Sequence, residues 1–127
     1  MLRALIIDDN LDNLGVLEEM LILEGVECVG IQNPLQVPDS LARDSDYNII
    51  FLDLELPDVD GYEIFDRLQA DAKTQHIPIV AYTVHVSEIN TARDLGFHSF
   101  LGKPLDVDTF PGQLAQILQG ESVWAIP

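Results

Sequence analysis

The chain has 127 residues and a mass of 14.1 kDa, with 22 acidic residues against 6 basic ones and a net charge of −16. That length supplies one hydrophobic core and not two, so no separate catalytic or DNA-binding domain is expected within these residues. With 47% hydrophobic and 22% charged residues, the composition is globular rather than disordered or fibrous.

The charge narrows the partners. Binding a polyanion needs clustered cations, and Arg3, Arg43, Arg67, Lys73, Arg93 and Lys103 are scattered. Direct nucleic-acid binding and anionic-membrane binding are not expected; a divalent cation or a basic partner is. Most of the carboxylates read as a solvated shell. The single cysteine, Cys28, cannot close an intramolecular disulfide and lies in the apolar run Val26-Glu27-Cys28-Val29, which implies burial and a reducing compartment. The apolar start from Met1 to Ile7 meets Asp8 and Asp9 too early for a signal peptide. No run approaches the ~18 residues of a membrane span, so a cytoplasmic location is expected.

In chain order, Ala4 to Ile7 reads as a buried strand. A helix follows from about Leu11 to Glu24, with Leu14, Leu17 and Leu21 on one face and Gly25 as its stop. Val26 to Ile31 is the second strand. Pro34 and Pro38 restrict the second helix to a short, irregular piece between Leu35 and Arg43. Ile49 to Leu52 is the third strand, and Ile64, Phe65, Leu68 and Ala72 repeat as a helical face after Gly61. The fourth strand is Ile79 to Tyr82, and Ser87 to Leu95 a short helix ended by Gly96. Ser99 to Leu101 is the fifth strand, and Phe110, Leu114, Ile117 and Leu118 mark the fifth helix. This strict alternation argues for an α/β domain over residues 1–120, an open five-stranded parallel sheet with five helices on its two faces. Residues 121–127 are left as a tail that packs on the surface or dangles.

In an open α/β sheet, ligands bind outside the carboxyl ends of the strands. The first strand ends in Asp8-Asp9, the third in Asp53, the fourth in Thr83, and the fifth is followed by Lys103-Pro104. Singly, each Asp reads equally well as a helix cap. Together, carboxylates converging on one crevice repel, and a bound cation relieves that repulsion. Hard oxygen donors favour Mg²⁺, with Mn²⁺ possible, and Mg²⁺ commonly shares a phosphate oxygen with the protein. A carboxylate can itself attack phosphorus, while Lys103, Thr83 and the metal stabilise the phosphoryl oxygens. His76 and His98 read as loop or surface residues, Tyr82 and Phe97 as packing residues, and Gly61 as the residue that permits the turn after Asp60.

Four stretches together resemble the receiver domains of two-component response regulators, the CheY-like family. They are Ile6-Ile7-Asp8-Asp9-Asn10; Phe51-Leu52-Asp53-Leu54-Glu55-Leu56-Pro57-Asp58-Val59-Asp60-Gly61; Ile77-Pro78-Ile79-Val80-Ala81-Tyr82-Thr83; and Phe100-Leu101-Gly102-Lys103-Pro104-Leu105. The resemblance covers roughly residues 2 to 119. It implies a flavodoxin-like, doubly wound sheet of order 2-1-3-4-5. It also implies Asp53 as phosphoacceptor, Asp8 and Asp9 as the pair that holds Mg²⁺ together with Asp53, Asp9 more directly, and the Glu55 backbone carbonyl as a further ligand. Thr83 corresponds to the switch hydroxyl, Lys103 to the phosphate-pairing lysine, Phe100 to the rotating aromatic, and Lys103-Pro104 to a cis peptide. Glu55 and His85 flank the site where such domains tune phosphoryl lifetime. Val84 departs from the small residue usual after the switch hydroxyl and could crowd the phosphoryl pocket. Phe100, lacking a hydroxyl, can signal only by its position.

By the same resemblance the partners are a histidine kinase or phosphotransfer protein upstream. Downstream stands a protein target that docks on the face made by the fourth helix, fifth strand and fifth helix, with the domain itself a monomer or weak homodimer. The chemistry expected is Mg²⁺-dependent self-phosphorylation and self-dephosphorylation, not turnover of an external substrate. Two alternatives remain: a pseudo-receiver that is never phosphorylated, and a small Mg²⁺-dependent aspartyl phosphatase using Glu55 as general acid.

Overall fold

A computed structural model describes residues 1–57 and 59–127; Asp58, part of the second quoted stretch, lies outside the described residues. The strands are β1 (Arg3–Ile7), β2 (Glu27–Ile31), β3 (Ile49–Leu52), β4 (Ile79–Thr83), β5 (Ser99–Gly102) and β6 (Trp124–Ala125). The helices are α1 (Leu11–Leu23), α2 (Val37–Arg43), α3 (Gly61–Ala70), α4 (Ile89–Leu95) and α5 (Phe110–Leu118). Short 3₁₀ turns over Pro34–Gln36 and Val86–Glu88 lead into α2 and α4. Among the described residues no helix is long and apolar enough to cross a membrane.

All strand pairs are parallel, in the order β2-β1-β3-β4-β5-β6. The first five positions follow the expected order, but the sheet has six strands, not five. The segment expected to be a surface tail carries β6, which adds to the free edge of β5 with Phe100 opposite Trp124 and Leu101 opposite Ala125.

The period of two along each strand divides the core. Leu5, Ile7, Ile50, Leu52, Ile79, Ala81 and Phe100 face α2, α3 and α4, where Phe65 stacks on Phe97 with ring centroids 3.9 Å apart. Ala4, Ile6, Ile49, Phe51, Val80, Tyr82 and Leu101 face α1 and α5, against Leu14, Leu17, Leu21, Phe110, Leu114 and Ile117. Because both faces are covered, the central strands are continuously apolar.

The helix ends follow from local chemistry. Asn10 caps α1 by accepting from the Asn13 N–H at 3.0 Å, and Gly25, at φ +76°, ends it in the left-handed region. Gly96 does the same for α4 at φ +103°. α3 stops at Ala70, short of Ala72, which is exposed; buried Thr74 turns its hydroxyl back onto the Leu68 carbonyl at 2.6 Å. Cys28 is only half-buried, and its desolvation pushes the thiol up to about 11.

Candidate functional site

The parallel sheet delivers Asp8, Asp9, Asp53, Thr83 and Lys103 to one rim, since each follows or ends a strand at its carboxyl end. Asp8 and Asp53 are buried and Asp9 is exposed. One carboxylate oxygen from each of the three lies within 4.8 Å of the others. The Lys103 ammonium donates to Asp8 Oδ2 and to Asp53 Oδ2, both at 3.1 Å, and its side chain is only 8% exposed. The Lys103 N–H is tied to the Thr83 carbonyl at 2.9 Å, and Lys103-Pro104 is cis.

Asp53 Oδ1 accepts from the Glu55 N–H at 3.0 Å, and Asp8 Oδ1 from the Asn10 N–H at 2.9 Å. Burial, with Asp8 adding to it, pushes the Asp53 carboxyl up to about 6 despite the lowering effect of the Glu55 N–H and Lys103. A single lysine thus leaves the three carboxylates short of positive charge, and the donors are hard oxygens. The residues fit a small divalent cation.

Thr83 is fully buried, and its hydroxyl oxygen accepts from the His85 N–H at 3.2 Å. Val84, next to Thr83, is 55% exposed. Glu55 and His85 do flank the site, joined to each other at 2.7 Å (Oε1 to Nε2), and the carboxylate raises the His85 pKa above its ordinary value. Phe97 packs on Phe65 and Tyr62, as expected. His76 is exposed, while half-buried His98 bonds the Ser99 hydroxyl at 2.9 Å. Phe100 is already fully buried with Trp124 beside it.

Two residues read as purely structural prove to shape the site. Tyr82, expected to be packing alone, donates its hydroxyl to Asp8 Oδ2 at 2.5 Å while its ring lies 4.2 Å from the Lys103 ammonium. Burial and Asp8 push the phenol far above its ordinary range, so it stays a donor. Its alternation along β4 marks it as interior; the extra reach of a tyrosine over an aliphatic residue was the available signal. Gly61 is needed for proximity, not for its turn. A Cβ there would lie 2.9 Å from the Leu54 Cα and 3.0 Å from the Asp53 carbonyl, so the missing side chain lets α3 start against the Asp53 loop.

These features are those of known proteins. Residues 4–115 match the family model described as response regulator receiver domain. The polar-differentiation response regulator DivK of Brucella anthropi is 30% identical over 109 residues, spanning 84% of this chain and 88% of that one. A sensor protein structure from Polaromonas sp. JS666 superposes with a TM-score of 0.82 at 26% identity, covering 93% of this chain and 96% of that one. The receiver domain of the sensor histidine kinase PA1611 from Pseudomonas aeruginosa PAO1, described with a magnesium ion coordinated in its active-site cleft, gives a TM-score of 0.77 at 28% identity. It covers 93% of this chain and 94% of that one. By its sheet order, its acidic rim and the span of that match, the chain belongs to the response regulator receiver domain family.

Proposed function

We propose that this receiver accepts a phosphoryl group on Asp53 from a histidine kinase or phosphotransfer protein and passes the change to a protein partner. The observation that carries the reading is the Lys103 ammonium, 3.1 Å from both Asp8 and Asp53 although 95 and 50 residues away in sequence. A buried lysine bridging two carboxylates beside an exposed third is a costly arrangement that a phosphoryl group and a cation would use.

Asp8, Asp9 and Asp53 would hold Mg²⁺, with the Glu55 backbone carbonyl as a further ligand. When bound, the ion supplies the positive charge that lets a phosphoryl dianion approach this acidic rim. A carboxylate oxygen of Asp53 attacks phosphorus as the bond to the donor's imidazole nitrogen breaks. The imidazole keeps the electron pair, and an acyl phosphate remains on Asp53. Lys103 then pairs with a phosphoryl oxygen, and the Thr83 hydroxyl, whose oxygen already accepts from the His85 N–H, is free to donate its proton to another. Thr83 pairs with Gly102 at the end of β5 and Lys103 directly follows it, so a change at either is the physical link to the face of α4, β5 and α5.

The chemistry is self-modification rather than turnover of an external ester. The Glu55 carboxylate, which a phosphatase would need as general acid, is engaged with His85. The test is incubation with acetyl phosphate or phosphoramidate and Mg²⁺, read by intact mass. An adduct of about 80 Da on the wild type and none on Asp53→Asn is expected. No adduct on the wild type refutes the reading.

A further inference from the structure

β6 sits on the face through which a partner is expected to read this domain. Its seat is specific. The Phe100 N–H donates to the Val123 carbonyl at 2.8 Å, and the Val123 N–H donates to the hydroxyl of fully buried Ser99 at 3.0 Å. The guanidinium of Arg93, on α4, covers the Trp124 ring at 4.8 Å from its centroid. Phe100 and Trp124 are register partners and share a side of the sheet, so the tryptophan lies against the switch aromatic.

The end of this segment reaches the phosphoryl-binding residues. A Cβ on Gly102 would lie 2.7 Å from Pro127 Cδ, 2.8 Å from Val86 Cγ1 and 3.3 Å from the Ile126 Cα. Gly102 does not have positive φ, so it is small for space and not for backbone freedom. One neighbour of this crowded point is Lys103; the other wall, Val86, opens the 3₁₀ turn that follows Thr83 through Val84 and His85. On the α5 side Val123 and Ala125 pack against the second core, but Ile126 and Pro127 border a cleft of about 270 Å³ lined also by Leu101, Pro104 and Leu105. The grip is therefore incomplete toward the end of the segment, on a strand only two residues long.

We infer that the edge of β5 is a docking surface for an extended segment, occupied in the resting state by residues 123–127 of this same chain. Filling the phosphoryl site loosens that occupant, and the partner of this face pairs with β5 in its place. The inference rests on the phosphoacceptor reading above. It also gives Phe100 a role consistent with its buried position: the ring is held inward by Trp124, and the outgoing signal is the undocking of the strand.

Trp124 is the chain's one tryptophan and reports its own seat. The experiment uses the full chain, with acrylamide quenching and the emission maximum recorded with and without Mg²⁺ and beryllofluoride. Fluorine NMR reports independently whether beryllofluoride has bound. The expected result is a red shift and about a twofold rise in the quenching constant on loading. Gly102→Ala is expected to expose Trp124 without any ligand, at unchanged far-ultraviolet circular dichroism. Ser99→Ala, which removes the acceptor of the Val123 N–H, gives the same result in a smaller degree and stands in if Gly102→Ala does not fold. Bound beryllofluoride with unchanged Trp124 accessibility overturns the inference and leaves the phosphoacceptor reading intact. Absence of bound beryllofluoride overturns both. A wild-type dimer that Gly102→Ala dissociates would place the segment on a second copy and overturn the assignment in cis.

Discussion

Replacing Tyr82 by Phe removes one oxygen from the interior and tests whether the phenol organises the acidic rim. The hydroxyl donates to Asp8 Oδ2 at 2.5 Å from a fully buried position, and the ring keeps its edge contact with Phe51 at 6.1 Å in either residue. Hydrogen bonds to charged groups contribute about 1.5–3 kcal/mol. Lys103 remains on the same oxygen, so Asp8 is not orphaned and the lower end applies. The expected loss is ~1.5–2 kcal/mol, which for a domain of this size is about 5–8 °C in Tm without metal. Asp8 also loses the donor that fixes its Oδ2 and leaves Oδ1 toward Asn10 and the rim. Partners of this kind behind a metal ligand are worth about 10-fold or more in affinity. Calorimetric titration of Mg²⁺ should therefore give a Kd about tenfold weaker for Tyr82→Phe than for the wild type. Equal Mg²⁺ affinity and a Tm unchanged within about a degree would show that the hydroxyl merely fills space and would refute the reasoning.

Asp53→Asn should raise metal-free stability at pH 7.5 by about 1–2 kcal/mol, an advantage that vanishes at about pH 3. The folded carboxyl titrates at about 6 against an ordinary 3.8, so its ionised form costs stability that is absent below 3.8 and fully present above 6. Two units set a ceiling of about 3 kcal/mol, and Lys103 losing a partner takes part of it back. Denaturant melts at the two pH values check the sign; a destabilised variant at pH 7.5 would contradict it. Lys103→Met should keep Mg²⁺ binding yet cut labelling by acetyl phosphate by about tenfold or more, and undiminished labelling would remove Lys103 from the phosphoryl site. His85 should titrate in NMR above its ordinary 6.5, returning toward it in Glu55→Gln. The pair's stabilisation is present below the unfolded pKa and lost as pH rises through the folded one. Millimolar Mg²⁺ should raise the wild-type Tm by preferential binding to the folded state, an effect that Asp9→Asn should largely remove.

The strands and helices were legible because their signals are periodic and local: runs buried on both faces for β1, β3 and β4, and Leu14, Leu17 and Leu21 for α1. The rim was legible for a related reason, since parallel strands all end on one side and the residue after each must meet its neighbours. The misses share a different origin. β6 is two residues long, too short for any alternation, and its existence depends on an unpaired edge 24 residues back in the chain. Gly61 reads as a turn residue until Asp53 and Leu54 are brought against it by tertiary packing. Tyr82 is the most instructive case. Period two places it on the α1 and α5 side of β4, one residue before the rim. Which side of the sheet a Cβ leaves says nothing of where a side chain as long as tyrosine terminates. Its ring remains in the core with Phe51 while its hydroxyl arrives at the carboxylate that ends β1, so one residue serves two environments. The local pattern fixes the direction in which a side chain sets out, and the partner at its polar tip is decided by strands distant in sequence; in a receiver whose site lies just beyond the strand ends, that last few ångströms separates a core residue from a site residue.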